Sequence, residues 1–360
     1  MAIKPNNSIT NDKESSLIFC GDAFLRTRNG ADPFARIAAR IGGCTACINC
    51  ETSLEGGKQT NKNITLSADE ASLDFIPENV SLVSIVNNHM ADGSDPADLA
   101  RALRQREKTV IGPANPARSC TEIAGLSFEF FSAYFPLPRA RLSYAGALAS
   151  KLEAMIRDSD AQRRVVNLHW GYEHTDMPAP FQRDLAHRLV DAGASLIIGH
   201  HPHVPQGWEV YRDAPIFYSL GNFNFWQFDK QPSADNKWGY MVRYSPQSGR
   251  AETVPYRIND NYQPVGVADR DEEELSKRLE SLCNGMCSID TATWIGDHYA
   301  QWHARELKVW KKRCAETKSL TLMLKFMIWL FLPMQIHYYI NAVLGWISLL
   351  FTTKAPQRQG

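Results

Sequence analysis

Three histidines stand within four positions at the end of an apolar run, where Ile197, Ile198 and Gly199 lead into His200, His201 and His203. Neutral imidazole nitrogen is the commonest side-chain ligand for borderline divalent metals, and Pro202 fixes the backbone between two of the rings, so the segment reads as half of a metal site. A lone histidine after a strand is more often a loop or core residue, and three in this spacing bring coordination level with that reading. The remaining donors have to come from elsewhere in the chain.

Other strand ends supply them. Residues 17 to 20 form a short apolar run stopped by Gly21 and Asp22, residues 45 to 49 form another that Glu51 follows, and VSLVSIV at 80 to 86 runs into Asn87, Asn88 and His89. RVVNLHW at 164 to 170 carries His169, and TVIG at 109 to 112 and SLIIG at 195 to 199 are further short apolar runs. Their length and β-branched content predict buried strands. Helical spacing falls between them, from Pro33 to Ile41, from Ser94 to Arg106, over 148 to 158, and over 178 to 193, where Gly193 is a stop. Ser67 with Glu70 has capping-box spacing and predicts a helix start. SFEFFSAYF at 127 to 135 reads as a hairpin, WEVY and PIFYSLGNF as an antiparallel pair ending at Asn222, and 239 to 245 and 251 to 258 as the last strands.

This alternation predicts an α/β domain, and in open α/β sheets functional groups collect beyond the carboxyl ends of the strands. Asp22, Glu51, Asn88, His89, His169, His201 and His203 can therefore converge despite their separation in sequence. Two carboxylates, an amide and several imidazoles suit two divalent ions such as Mn, Zn or Fe. His187 lies within a predicted helix and reads as a packed or surface residue.

The chain has 360 residues, 39 basic and 39 acidic, so its formal charge of zero argues against nucleic acid as the main partner. The polar N-terminus, MAIKPNNSITNDKESS, lacks the apolar stretch of a signal peptide, which leads us to expect reduced thiols among the eight cysteines and a cytoplasmic location. Cys44, Cys47 and Cys50 form CxxCxxC, either the start of an iron-sulfur run without its fourth ligand or, the preferred reading, small core residues. From 271 the chain becomes charged and helical, and 319 to 353 is almost wholly apolar around Pro333. That tail reads as one kinked spanning helix, a membrane-inserted hairpin or a buried helical pair. The basic residues before it, Lys308 to Lys318, favour a membrane tail with the globular part facing the cytoplasm.

GD at 21 to 22, NCE at 49 to 51, NNHMAD at 87 to 92, HWGYE at 169 to 173, GHHPHV at 199 to 204 and SLGNF at 219 to 223 together resemble the signature blocks of the CapA family. These are capsule and poly-gamma-glutamate biosynthesis proteins of the calcineurin-like metallophosphoesterase superfamily. The resemblance spans about 17 to 260 and implies a four-layer α/β/β/α sandwich with a dinuclear site. It implies that Asp22 binds one ion, Glu51 bridges, Asn88, His169 and His201 bind the second, and His203 returns to the first. His89 is then the general acid, Asp92 orients it, and His200 is a neighbour. Arg26 lies near the place of an arginine that follows the GD block in relatives and is expected to meet substrate. Asn222 either reaches the site or caps a turn. Glu173 either binds substrate or helps in proton transfer, or is a salt-bridged loop residue. Phe24 stands where the superfamily has the histidine of its DxH motif, so the first ion is expected to be weakly held or absent.

The implied domains are a disordered segment at 1 to 16, a metallophosphoesterase-fold domain at 17 to 265, a charged helical region at 266 to 318 and the hydrophobic segment at 319 to 353. The implied function is a metal-dependent hydrolase of a phosphoester or amide bond in the production of a capsule or other surface polymer. Membrane lipid, the polymer and capsule-synthesis enzymes are its expected partners. The alternative is a non-catalytic assembly protein using the same cleft, and a third reading is a phosphoesterase acting on nucleotides or lipid-linked intermediates.

Overall fold

The apolar runs become strands whose side chains alternate between two faces, with register shifts in the first strand at Asp22, and that alternation builds the layers. A computed structural model describes residues 16–27, 30–56, 64–135, 142–225, 234–288 and 293–294. In chain order the strands are β1 (Leu17–Ala23), β2 (Thr45–Cys50), β3 (Ser53–Leu54), β4 (Ser67–Ala68), β5 (Leu82–Ser84), β6 (Thr109–Ile111), β7 (Ala117–Ile123), β8 (Leu126–Tyr134) and β9 (Arg163–His169). They continue as β10 (Leu196–His200), β11 (Trp208–Tyr211), β12 (Ala214–Phe217), β13 (Asn222–Asn224), β14 (Trp238–Tyr244), β15 (Ala251–Ile258) and β16 (Pro264–Gly266). The helices are α1 (Ala38–Ile41), α2 (Pro96–Gln105), α3 (Leu142–Arg157), α4 (Pro180–Asp191) and α5 (Asp269–Ser288).

One sheet runs β16-β15-β14-β1-β2-β5-β6 with β13 beside β1, and the other runs β11-β12-β10-β9-β8-β7. The central strands of each are parallel. In β1, Ile18 and Cys20 pack with Leu99 and Leu103 of α2, while Leu17 and Phe19 pack with Phe130, Val165 and Ile198 of the other sheet. In β10 the sense is mirrored, with Ile198 turned to the first sheet and Ile197 to Leu152 of α3 and Leu189 of α4. Three apolar layers therefore separate helix, sheet, sheet and helix, the four-layer order expected. Each fully buried Leu, Ile or Phe in them contributes roughly 1.5–3 kcal/mol of transfer free energy.

Several expectations need correction. Ser67 does not cap a helix but lies in β4, and the turn that follows is a 3-10 helix over Glu70–Phe75. Its cap is Asp69, whose carboxylate accepts from the Ser72 amide at 3.0 Å, a competing acceptor two residues downstream of the motif. The segment at 127 to 135 is one strand, β8, whose hairpin partner is the more polar β7. PIFYSLGNF is not one strand either. β12 pairs with β11, and then the chain crosses so that β13 lies parallel to β1 in the opposite sheet.

The chain divides into two compact units, Met1–Cys287 and Ser288–Gly360. Of the second, only 288 and 293–294 are described, so the apolar stretch at 319 to 353, its basic flank and the segment at 1 to 15 lie outside the described residues. Among the described residues no helix is long and apolar enough to cross a membrane.

Candidate metal centre

Strand register does the first part of the positioning. Asp22 at the end of β1 is paired with Asn49 of β2 on one side and with Asn222 of β13 on the other. In the second sheet His200 of β10 is paired with His169 of β9, and His169 with Tyr134 of β8. The crossing at 218 to 221 brings the two sheets together here, and two glycines permit it. A Cβ on Gly21 would lie 2.1 Å from the Gly221 carbonyl oxygen, and one on Gly199 would lie 1.9 Å from that of Tyr218. Each precedes a residue of the cluster. His201 and His203 both have positive φ, 98° and 58°, a conformation that costs side-chain-bearing residues about 1–3 kcal/mol and persists where its surroundings enforce it.

Asp22 is fully buried and meets four nitrogens. Asn49 Nδ2 and His200 Nδ1 each donate to Oδ1 at 2.9 Å, the His201 amide donates to Oδ2 at 3.1 Å, and His203 Nδ1 lies 3.3 Å from Oδ2. Burial alone would raise its pKa, but the His200 bond and the imidazoles beside it overcome burial and bring it down to about 2. Glu51 goes the other way. Burial first, then the Asp22 and Glu173 carboxylates, push it well above the usual range. Its Oε1 takes a 3.3 Å bond from Asn49 Nδ2, and its Oε2 is buried with no hydrogen-bond partner.

Asn88 Oδ1 and His169 Nε2 face each other at 2.7 Å, and His169 Nδ1 lies 3.9 Å from Glu51 Oε1. The His169 and His201 rings are 4.6 Å apart. Burial, then the neighbouring imidazoles, hold His169 well below the ordinary histidine range and bring His201 to about 3. Burial also lowers His203. The three rings are therefore neutral at pH 7, the form that coordinates metal. His201 Nδ1 is buried and without a hydrogen-bond partner.

His89 is set beside this group on a rigid support. Its Nδ1 donates to Asp92 Oδ2 at 2.6 Å, Asp92 Oδ2 also accepts from the Leu66 amide, and the His89 amide donates to Asn87 Oδ1. Asn222 is buried and accepts from His203 Nδ1 at 2.9 Å, so it orients a ring of the cluster. Arg26 is exposed and pairs with Glu55 at 3.5 Å, outside the buried group. Glu173 is exposed, yet its carboxylate and donor atoms of His201 and His203 all lie within 4.8 Å of one another. Asp22, Glu51 and His203 form a second such group.

Three participants escaped the sequence reading. Asn49 touches both carboxylates and also lies 3.4 Å from His169 Nδ1, and its signal was a polar residue inside the apolar run TACIN. His200, taken as a neighbour, is a direct partner of Asp22. His174 has its ring 6.3 Å from that of His203. Phe24 packs with Phe225, whose ring is 4.5 Å from His203, so the place of the DxH histidine is an apolar wall. Cys44, Cys47 and Cys50 are free, buried core residues, and burial pushes Cys47 to about 12 and Cys50 to about 11.

The residues fit divalent metal. Two buried donors without partners, Glu51 Oε2 and His201 Nδ1, are costly unless something bonds them, and the donor types are those of Mn, Zn and Fe sites. Fold and donors together define a four-layer α/β protein with a metal-ligand cluster between the carboxyl ends of its two sheets. Residues 16–227 match the model of the family described as bacterial capsule synthesis protein PGA_cap, and the chain belongs to that family.

Among its relatives, the capsule biosynthesis protein CapA of Bacillus anthracis is 32% identical over 245 residues, 62% of this chain and 59% of that protein. The PGA biosynthesis protein CapA of Bacillus subtilis (strain 168) is 30% identical over 233 residues, 56% and 58% of the two chains. The chain thus spans less than two thirds of the length of these relatives. A solved structure described as a novel phosphatase from Mycoplasma pneumoniae aligns over 68% of this chain and 92% of its own, with 14% identity and a TM-score of 0.45.

Proposed function

We propose that the chain is a metal-dependent hydrolase acting on a phosphoester or amide bond in the production of a capsule or poly-gamma-glutamate polymer. The observation that carries this reading is the cluster of Asp22, Glu51, Asn88, His169, His201 and His203, with the buried atoms Glu51 Oε2 and His201 Nδ1 left unpartnered beside the His89–Asp92 pair. Asp22, Glu51 and His203 would hold one ion, and Asn88, His169 and His201 a second. Bound there, divalent ions would supply Lewis acidity and lower the pKa of water.

The chain's own residues provide the rest. Asp92 fixes His89 through Nδ1, which leaves Nε2 to carry a proton to the departing oxygen or nitrogen, a role worth roughly 10²–10⁴ in rate. Asn49 and His200 hold the Asp22 carboxylate in one orientation, and Asn222 does the same for His203. The test is hydrolysis of an aryl phosphate and of a γ-linked glutamate peptide by Mn-loaded protein, against His201→Ala. Turnover of either that is lost in the variant is the expected result. No turnover of either, with surface polymer normal in cells carrying His201→Ala, would favour the non-catalytic assembly reading, which the apolar wall of Phe24 and Phe225 also supports. On the same reading the tail at 319 to 353 is a membrane attachment with the globular part on the cytoplasmic side, supported by the basic residues before it. Protease protection in sealed vesicles tests that orientation.

A further inference from the structure

The loop after β9 does something the proposed ligand set leaves unused. It leaves the strand at Gly171, which has φ +88° and whose Cβ position is occupied by the Gln182 side-chain amide, 2.7 Å away. It is then tied to the histidine loop, because the His174 amide donates to the Pro202 carbonyl at 2.7 Å. That tie carries Glu173 over His201 and His203, to the 4.8 Å grouping described above. Within that grouping His201 keeps a buried nitrogen without a hydrogen-bond partner. A cation held by the three side chains would use their donor atoms together.

We propose that Glu173 is a metal ligand: with His201 and His203 it forms an ion position on the solvent side of the cluster, built from the 171–175 loop and the histidine loop. This rests on the metal-centre reading above and changes the role of Glu173 within it, from a group that meets substrate or moves a proton to one that coordinates. It also fits the loss at Phe24. Where a DxH histidine would have given coordination, the side of His203 lined by Phe225 is apolar, and Glu173 supplies oxygen at the same ring from another loop. Because His203 Nδ1 is taken by Asn222, its other nitrogen serves one ion at a time, and the exposed carboxylate makes this position the exchangeable alternative to the buried one formed by Asp22, Glu51 and His203.

The experiment is calorimetric titration of the metal-free full chain with Mn2+ alone, with metal content measured after gel filtration, for the wild type, Glu173→Gln and Glu173→Asp. Because Glu173 is exposed, the metal-free melting temperature is expected to be unchanged in both variants, and this is checked first. The expected result is that Glu173→Gln loses the weaker ion or binds it more than about 100-fold less tightly, beyond what loss of a supporting hydrogen bond does, with Glu173→Asp between it and the wild type. Wild-type stoichiometry and affinity in Glu173→Gln would overturn the proposal while leaving the metal centre standing. A wild-type chain that binds no Mn2+ would end both. No substrate enters the measurement, so the outcome is independent of whether the chain hydrolyses anything.

Discussion

Two clusters of the molecule are built from the same residue types and differ in what is left over. On the flank of the second sheet, Glu209 of β11 accepts from His187 Nε2 at 2.9 Å and from the Tyr218 hydroxyl at 2.6 Å, with Arg183 Nε at 3.8 Å, and the His187 ring stacks on Tyr211 at 3.9 Å. Histidine and carboxylate satisfy each other there, half in solvent. At the carboxyl ends of the strands, glutamate and histidine are more deeply buried and yet Glu51 Oε2 and His201 Nδ1 lack partners. The contrast shows that neither a His–Glu contact nor burial marks a binding site. Unmet bonding capacity alone does not either, since Arg183 Nε on the flank is also buried without a hydrogen-bond partner; what differs is that the unmet atoms at the strand ends, a carboxylate oxygen and an imidazole nitrogen, can ligate a metal, which a guanidinium cannot.

The largest effect should come from breaking that unmet capacity. His201→Ala removes one ligand and is expected to lower divalent-metal affinity by more than about 100-fold, beyond what loss of a supporting hydrogen bond does. Titration with Mn2+ and the metal-induced rise in melting temperature measure it. In the wild type, metal at about 100 times Kd should add roughly 2.7 kcal/mol of stability, and in the variant almost none. An unchanged rise would remove His201 from the ligand set.

Next in size is His89→Gln, which should cut hydrolysis by about 10²–10⁴-fold while metal content stays at the wild-type level. That split separates a proton carrier from a ligand. If metal is lost as well, His89 belongs with the coordinating rings.

The residues that gather at the cluster were legible in the sequence because a short apolar run ending in a polar residue is a local signal. Asp22, Glu51, His169 and the histidine loop all have it. What holds them was not. Asn49 bonds Asp22 from 27 residues away and His200 does so from 178 away, and such pairings are set by strand register across and between sheets, which no local pattern encodes. The Ser67 helix start failed because Asp69, two positions on, is the cap acceptor in the structure. The crossing of β13 was hidden inside a continuous apolar run, where only Gly221, with φ +78°, marks the turn. The four layers were expected from the resemblance and followed from alternation once the strands were placed, as in the opposite facing of Ile18 and Phe19.

A smaller effect follows from proton linkage at the centre. His201 at about 3, with His169 and His203 also lowered, is neutral at pH 7 and releases nothing when metal binds. Glu51 is raised, and any proton it carries in the metal-free protein must leave when it coordinates. Affinity for Mn2+ should therefore fall as pH is lowered through the range in which Glu51 titrates, by up to about ten-fold per unit, with proton release on binding. Measuring released protons against bound metal in weak buffer checks the sign. Binding without proton release would mean that Glu51 is already ionised in the metal-free protein.

The smallest effect is expected on the flank. His187→Ala removes one bond from Glu209 and the stack on Tyr211, but the Tyr218 hydroxyl remains to bond the carboxylate and solvent can reach it. The cost should be about 1 kcal/mol of unfolding free energy, read from urea denaturation, with metal stoichiometry and the metal-induced stabilisation unchanged. A change in metal binding would mean that the two clusters are coupled through β12 and the 218–221 crossing, since Tyr218 donates to Glu209 at one end and its carbonyl sits against Gly199 at the other. The contrast between a His–Glu pair that satisfies itself and donors free to ligate metal would then describe two ends of a single network.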